Sequence, residues 1–364
     1  MKVILSGGGT GGHVYPAIAV ADALKEQMPQ VQILFVGAKG RIEMEKVPAA
    51  GYDVKGLWIS GLDRKLTLRN LLFPVKVISS LMTAYLLMRK FQPQVVAGFG
   101  GFASGPLLRV AAWMDVPMVI QEQNSYAGIT NRLLAKKARK ICVAYPGMEK
   151  FFQREKIVLT GNPVRKDLQE LKTRRAEALS FFGLDDTKKT LLLFGGSLGA
   201  RKLNEAMREQ AEFFREHDDI QVLWQMGKLY AEKYSVSETA GLRNVHALPF
   251  IDRMDLAYAV ADVVICRAGA LTISEICLTG KAAVLVPSPN VAEDHQTRNA
   301  LALVERGAAV IVPDNSPAED LLQAAVDILN NPDKRLGLEI SIAALARPDA
   351  AERIADMIIN EAKS

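Results

Sequence analysis

The stretch Val3-Ile4-Leu5-Ser6-Gly7-Gly8-Gly9-Thr10-Gly11-Gly12-His13 (VILSGGGTGGH, residues 3–13) decides how the chain is read. An apolar run that enters a glycine turn and then a helix start is the opening of a doubly wound α/β domain. Glycine brings no side-chain chemistry there. Its missing Cβ lets backbone N–H groups and a helix N-terminus come close to an anion. The same opening returns late in the chain, where Leu191-Leu192-Leu193-Phe194 runs into Gly195-Gly196-Ser197-Leu198-Gly199-Ala200. Two openings imply two domains, which suits 364 residues at roughly 150 per domain.

Between and beyond these openings, short β-branched runs alternate with helix-length segments. VILS, QILFVG, VVAGFG, MVIQEQ and ICVAY stand in the first half, and TLLLFGG, QVLWQMG, VHALPF, DVVICRAG and AAVLVPS in the second. Continuous apolar runs spaced in this way predict buried parallel strands in βαβ units. The expected fold is α/β, with two Rossmann-like doubly wound parallel-sheet domains facing across a cleft. Residues 1–162 form the first, and 163–345 the second, hinged at Gly161-Asn162-Pro163-Val164-Arg165. A last helix from Pro348 to Lys363, within residues 346–364, has no strand after it and is expected to pack back on the first domain.

Composition narrows the partners. The net charge of +5 suggests an anionic one. Aromatic residues make up only 7%, and no Lys/Arg run is interleaved with Tyr or Phe, which argues against nucleic acid. Three cysteines and four histidines show no metal-ligand spacing, so no metal and no cofactor is expected. An odd number of thiols fits a reducing cytoplasm. The N-terminus turns glycine-rich before a signal-peptide core can form. The most membrane-like stretch, Leu71 to Phe91, contains Pro74 and Lys76, and its uninterrupted apolar part falls short of the about 20 residues a span needs.

Gly7, Gly9 and Gly12 satisfy the G-x-G-x-x-G dinucleotide fingerprint. The second strand, however, ends in Gly37-Ala38-Lys39-Gly40-Arg41 without the acid that a ribose of NAD requires. Lys39 and Arg41 keep an NADP reading open. His13 stands where a Walker lysine would be, which excludes a P-loop. The plainer reading is a tight turn without ligand. His13 is a candidate general base, or simply a polar residue at a helix start. Ser197 can cap its helix or meet a phosphate. In Cys266-Arg267-Ala268-Gly269-Ala270-Leu271-Thr272-Ile273-Ser274-Glu275, Thr272 and Glu275 have capping-box spacing. Alternatively, Glu275 takes the two hydroxyls of a ribose.

Taken together, GGGTGGHVYPAIAVADAL, GFGGFASGP, QEQNSYAGITNRLLAKKA, GNPVR, FGGSLGARKLN, CRAGALTISEI and DHQTRNAL resemble the MurG family, in order from Lys2 to about Glu305. These are the UDP-N-acetylglucosamine:N-acetylmuramyl-(pentapeptide) pyrophosphoryl-undecaprenol N-acetylglucosamine transferases of peptidoglycan synthesis. The resemblance implies a GT-B fold and inverting transfer of GlcNAc from UDP-GlcNAc to the C4 hydroxyl of lipid I, giving lipid II and UDP. It implies that Ser197 meets the diphosphate, that Ile251 meets the uracil through its backbone, and that Ala270, Leu271 and Thr272 lie near the phosphates. Glu275 would meet the ribose, Gln296 the sugar, and Arg165 the donor from the hinge. Thr10, Gly11, Gly12 and Asn124 match sugar- and acceptor-side positions, and His13 matches the proposed base. Some relatives carry two adjacent glutamines where this chain has Gln296-Thr297.

The lipid acceptor gives a second reading of the Leu71–Phe91 region, otherwise an ordinary buried βαβ helix. With Arg64, Lys65 and Arg69 before it, and with Lys136, Lys137, Arg139 and Lys140 expected nearby in space, it would dock on an anionic membrane surface. The implied location is peripheral, on the cytoplasmic side of the cell membrane, beside other cell-wall synthesis proteins. Two rivals stay open. One is another GT-B-like UDP-GlcNAc enzyme, a 2-epimerase or glycolipid synthase, which would show itself by turnover with a different acceptor or none. The other is a non-catalytic nucleotide-sugar-binding regulator, in which a His13 substitution would cost no turnover.

Overall fold

The computed structural model describes residues 1–61, 72–165, 168, 171–196, 198–291 and 294–363. The chain divides into two compact units, Met1–Arg165 with Arg347–Ser364, and Lys166–Ala346. The first boundary therefore falls after Arg165 rather than Asn162, so the whole GNPVR segment stays with the first unit.

In the first unit, β1 (Lys2–Ser6), β2 (Gln32–Ala38), β3 (Asp53–Leu57), β4 (Val95–Gly98), β5 (Met118–Glu122), β6 (Lys140–Val143) and β7 (Ile157–Leu159) form one sheet. Its order is β3-β2-β1-β4-β5-β6-β7, with every described pairing parallel. In the second, β8 (Lys189–Phe194), β9 (Ile220–Gln225), β10 (Val245–Leu248), β11 (Val263–Cys266), β12 (Ala282–Leu285) and β13 (Val310–Ile311) follow the order β10-β9-β8-β11-β12-β13. These pairings are parallel too. Both units share one plan. The opening strand lies inside the sheet, the chain steps outward on one side, then crosses to the other. Each topological switch point therefore sits beside a glycine loop, between β1 and β4 and between β8 and β11.

The two-residue period of a strand explains the layers. Val3 and Leu5 point to a core shared with Val14, Ala17 and Val20 of the helix Gly11–Gln27, while Ile4 points to the opposite core with Leu107 and Leu108 of the helix Ser104–Trp113. The last helix, Ala350–Lys363, brings Ile354, Ala355 and Ile358 into the core of Val3 and Leu5. These positions repeat at the three- and four-residue spacing of one helix face. Each fully buried isoleucine is worth about 1.5–3 kcal/mol. Pro348, expected in the first turn, stands just before the helix.

The helix Phe73–Phe91 carries Pro74 in its first turn, where the missing N–H costs nothing. It buries only Ser80, Ala84 and Met88 fully. Among the described residues, no helix is long and apolar enough to cross a membrane. Leu71, Arg64, Lys65 and Arg69 lie outside the described residues.

Candidate active site

In the first unit, the loop after β1 meets the loop after β4. A Cβ added to Gly101 would stand 2.3 Å from the Gly8 carbonyl oxygen, and Gly101 has φ +76°. Only glycine allows two backbones to pass this closely in that conformation. Thr10 is the N-cap residue of the helix Gly11–Gln27, yet its hydroxyl makes no cap bond. It lies 3.0 Å from Nδ1 of His13 instead. The imidazole is half-buried, with its Nε2 edge against Gly100. Thr10, Gly11, Gly12 and His13 are thus grouped at one end of the sheet, next to the β4 loop.

Asn124 is placed by a buried carboxylate that the sequence did not single out. Glu122, at the end of β5, accepts the Asn124 and Gly128 N–H groups at 3.1 and 3.0 Å, and the Asn131 amide at 2.8 Å. Burial pushes its carboxyl above the usual carboxylate range, while these hydrogen bonds pull the other way. Around it, Gln123 donates to the Phe99 carbonyl at 2.6 Å, Gln121 to Asn162 at 2.9 Å, and Asn162 to the Gln123 carbonyl at 3.1 Å. This network ties the β4 loop, the QEQN segment and the GNPVR segment together. Arg165 is half-buried at the end of that segment.

In the second unit, Ser197 lies outside the described residues. The glycines around it are described. Gly199 has φ +81°, and an added Cβ would stand 2.1 Å from the Met226 carbonyl oxygen. Gly199→Ala is therefore expected to lower Tm, because the loop must shift by a sizeable fraction of an ångström, and calorimetry on the variant checks it.

Across the switch point, the helix Ala270–Thr279 starts from Gly269 as its N-cap. The capping-box reading fails here. Thr272 is already inside the helix, and Glu275 lies beyond its first turn, so Glu275 cannot bond back to a Thr272 cap. Glu275 instead accepts the Tyr258 hydroxyl at 3.0 Å. Ala270, Leu271 and Thr272 form the first turn, where the helix dipole favours negative charge. Arg267, in the same motif, is structural. It donates to the Val286 and Pro287 carbonyls at 3.0 and 3.2 Å and pairs with Asp314.

Ile251 is buried, and its N–H donates to Oε1 of Gln225 at 2.9 Å. A base read through the Ile251 backbone would use its carbonyl or displace Gln225. Gln296 accepts the Ser288 N–H at 2.8 Å through its own carbonyl, which turns its NH2 to other partners. Thr297 bonds Asp294 at 2.7 Å, so it does not duplicate the Gln296 contact. Among the described residues, no three His, Cys, Asp or Glu side chains cluster as metal ligands would.

Two Rossmann-like units with paired glycine loops define a GT-B glycosyltransferase fold, and the comparisons agree. Residues 3–143 match the glycosyltransferase family 28 N-terminal domain, and residues 190–354 its C-terminal domain. The chain is 51% identical to the UDP-N-acetylglucosamine--N-acetylmuramyl-(pentapeptide) pyrophosphoryl-undecaprenol N-acetylglucosamine transferase of Flavobacterium psychrophilum, over 100% of this chain and 98% of that protein. It is 52% identical to the protein of the same name from Parabacteroides distasonis, over 98% and 97%. The crystal structure of Acinetobacter baumannii MurG superposes with a TM-score of 0.76 at 31% identity, over 99% of both chains. The UDP-GlcNAc 2-epimerase of Neisseria meningitidis, at 14% identity and a TM-score of 0.69 over 99% of this chain and 100% of that one, shares the fold alone. The chain belongs to the MurG family of N-acetylglucosaminyltransferases.

Proposed function

We propose that the chain transfers GlcNAc from UDP-GlcNAc to the C4 hydroxyl of undecaprenyl-pyrophosphoryl-MurNAc-pentapeptide, inverting C1 and releasing UDP. The observation that carries this is the identity of about half the residues with relatives of that name along the entire chain. The barrier to such a transfer lies in oxocarbenium-like charge at C1 and in negative charge on the departing diphosphate. The start of the helix Ala270–Thr279 answers the second, since its dipole is fixed before the reaction begins. Ser197 and the first-turn residues Ala270, Leu271 and Thr272 take the diphosphate, Glu275 the ribose, Ile251 the uracil, Gln296 the sugar, and Arg165 the donor. On the first unit, Thr10, Gly11, Gly12 and Asn124 serve sugar and acceptor, and His13 takes the proton of the attacking hydroxyl. Labelled UDP-GlcNAc incubated with a short-chain lipid I analogue tests this. Disaccharide lipid and UDP in equal amounts support it, whereas epimerised sugar nucleotide, or binding without turnover, refutes it.

A lipid-linked acceptor calls for a surface that meets membrane. Val75, Ile78, Met82 and Leu86 of the helix Phe73–Phe91 are each more than half exposed, at the spacing of one helix face. Trp113, Ile129 and Leu133 are similarly exposed on the helices that pack beside it in turn, and Arg132, Lys136, Lys137 and Arg139 are exposed as well. Beneath the helix, an apolar cavity of about 350 Å³ is lined by Phe73, Val77, Leu81, Phe102 and Trp113, with Arg109 at its wall. This face docks on the cytoplasmic leaflet, each basic residue near the surface adding about 1 kcal/mol. Replacing Ile78, Met82 and Leu86 together by aspartate is expected to abolish co-sedimentation with anionic vesicles and to leave UDP affinity unchanged. Full retention on vesicles would refute the docking face.

A further inference from the structure

The helix Phe73–Phe91 is apolar on two sides, and the fold buries neither fully. Ile78, Met82 and Leu86 form the outward stripe proposed above to meet the membrane. Phe73, Val77 and Leu81 form a second stripe at one-turn spacing. They are only half-buried, because they line the cavity of about 350 Å³. Gly105 and Pro106, at the start of the helix Ser104–Trp113, line it as well and leave it wide. Its size and apolar walls with a few polar groups match those of small-ligand pockets, roughly 300–1,000 Å³.

One ring joins this cavity to the first glycine loop. Phe102 lines the cavity and also packs against the loop, where a Cβ on Gly9 would stand 2.9 Å from its Cε1. The Arg41 guanidinium lies 5.8 Å from the centre of the same ring. Arg109 lines the cavity, and Lys76 donates to the hydroxyl of Ser60, another lining residue, at 3.0 Å. A sugar-side loop, three cations and an apolar chamber thus adjoin within the first unit. The acceptor of the proposed reaction is built from the same three parts: a muramyl sugar, a pyrophosphate and an isoprenyl chain.

We propose that this cavity is the subsite for the first isoprene units of the lipid-linked acceptor, separate from the face that meets the membrane. The cations around it suit the diphosphate that joins tail to sugar. The remainder of the chain stays in the bilayer, under the outward stripe. Holding the start of the tail beside Phe102 brings the sugar to the Thr10–His13 loop already oriented. The assignment rests on the transferase reading. Wild-type protein without transferase activity would sink that reading, whereas transfer that ignores the tail would sink only this one.

The test uses soluble lipid I analogues that carry either a farnesyl or a methyl group on the diphosphate, so that membrane binding plays no part. The wild-type KM is expected to be at least about tenfold lower for the farnesyl analogue, since one methylene in an apolar pocket is already worth about 10- to 200-fold. Gly105→Leu fills the cavity without straining the backbone, because an added Cβ would meet only Cγ2 of Thr130, at 3.6 Å. It should raise the farnesyl KM about tenfold or more and leave kcat, the methyl KM, UDP affinity and co-sedimentation with anionic vesicles unchanged. Val77→Trp, on the other helix, should do the same. A purely structural role would move both acceptors together. Equal wild-type KM values for the two analogues overturn the proposal, whether or not the variants fold. Variants that lose both acceptors in parallel, or that keep the full farnesyl preference, overturn it as well. Loss of vesicle binding with an unchanged farnesyl KM would give the cavity to a membrane lipid instead, and would also overturn it.

Discussion

His13→Ala is expected to lower kcat by about 10²- to 10⁴-fold, the range for losing a general base, and to leave the Kd for UDP unchanged. The reason lies in the first loop. The contact between Nδ1 and the Thr10 hydroxyl, at 3.0 Å, fixes the ring plane. When Nδ1–H is the donor in it, Nε2 is the basic nitrogen, and Nε2 is the edge set against the β4 loop. That loop is in turn held by Gln123 through the Phe99 carbonyl. Thr10→Val should therefore reproduce part of the loss, because the ring would lose its orientation but not its base. Pre-steady-state measurement of the transfer step separates chemistry from product release. A His13→Ala enzyme with unchanged turnover would remove the histidine from the mechanism and revive a non-catalytic binding role.

Glu275→Ala is expected to raise the KM for UDP-GlcNAc about 10- to 100-fold, the equivalent of losing hydrogen bonds to a charged group. The carboxylate is held by the Tyr258 hydroxyl at 3.0 Å, and Tyr258 packs edge-on against Phe194 at the end of β8. Its position is thus set by the sheet rather than by its own helix terminus. Because ribose contacts are the same in substrate and transition state, kcat should fall much less than kcat/KM. Tyr258→Phe should give a smaller change in the same direction. Initial rates over a range of donor concentrations, at saturating acceptor, give both parameters. An unchanged KM would leave Glu275 without a role at the ribose.

The central strands were legible because parallel strands buried on both faces read as unbroken apolar runs, as in Val3-Ile4-Leu5 and Leu191-Leu192-Leu193. The three strands that the sequence did not announce all lie at sheet edges. Asp53–Leu57 is half solvent-facing and alternates, Ile157–Leu159 has three residues, and Val310–Ile311 has two. An edge strand buries less, so selection for apolar residues is weaker. The glycine loops were legible because close backbone approach leaves a compositional trace. Their supports were not. Glu43, Glu122, Gln225 and Tyr258 act on residues brought near by the fold, and no spacing rule connects Glu43 to Gly9 or Tyr258 to Glu275. The capping-box expectation failed for a related reason. Thr-x-x-Glu fits a helix start and a helix interior equally well, and Gly269 had already started this helix.

In the proposed reaction two similar loops divide their tasks, the second holding the nucleotide diphosphate and the first serving the acceptor chemistry. Hydrogen–deuterium exchange with and without saturating UDP tests it most directly. Slower exchange in the segments around residues 195–200 and 269–275, with Gly7–His13 unchanged, is the result expected. Protection concentrated at Gly7–His13, with the second-unit segments exchanging as before, would contradict it.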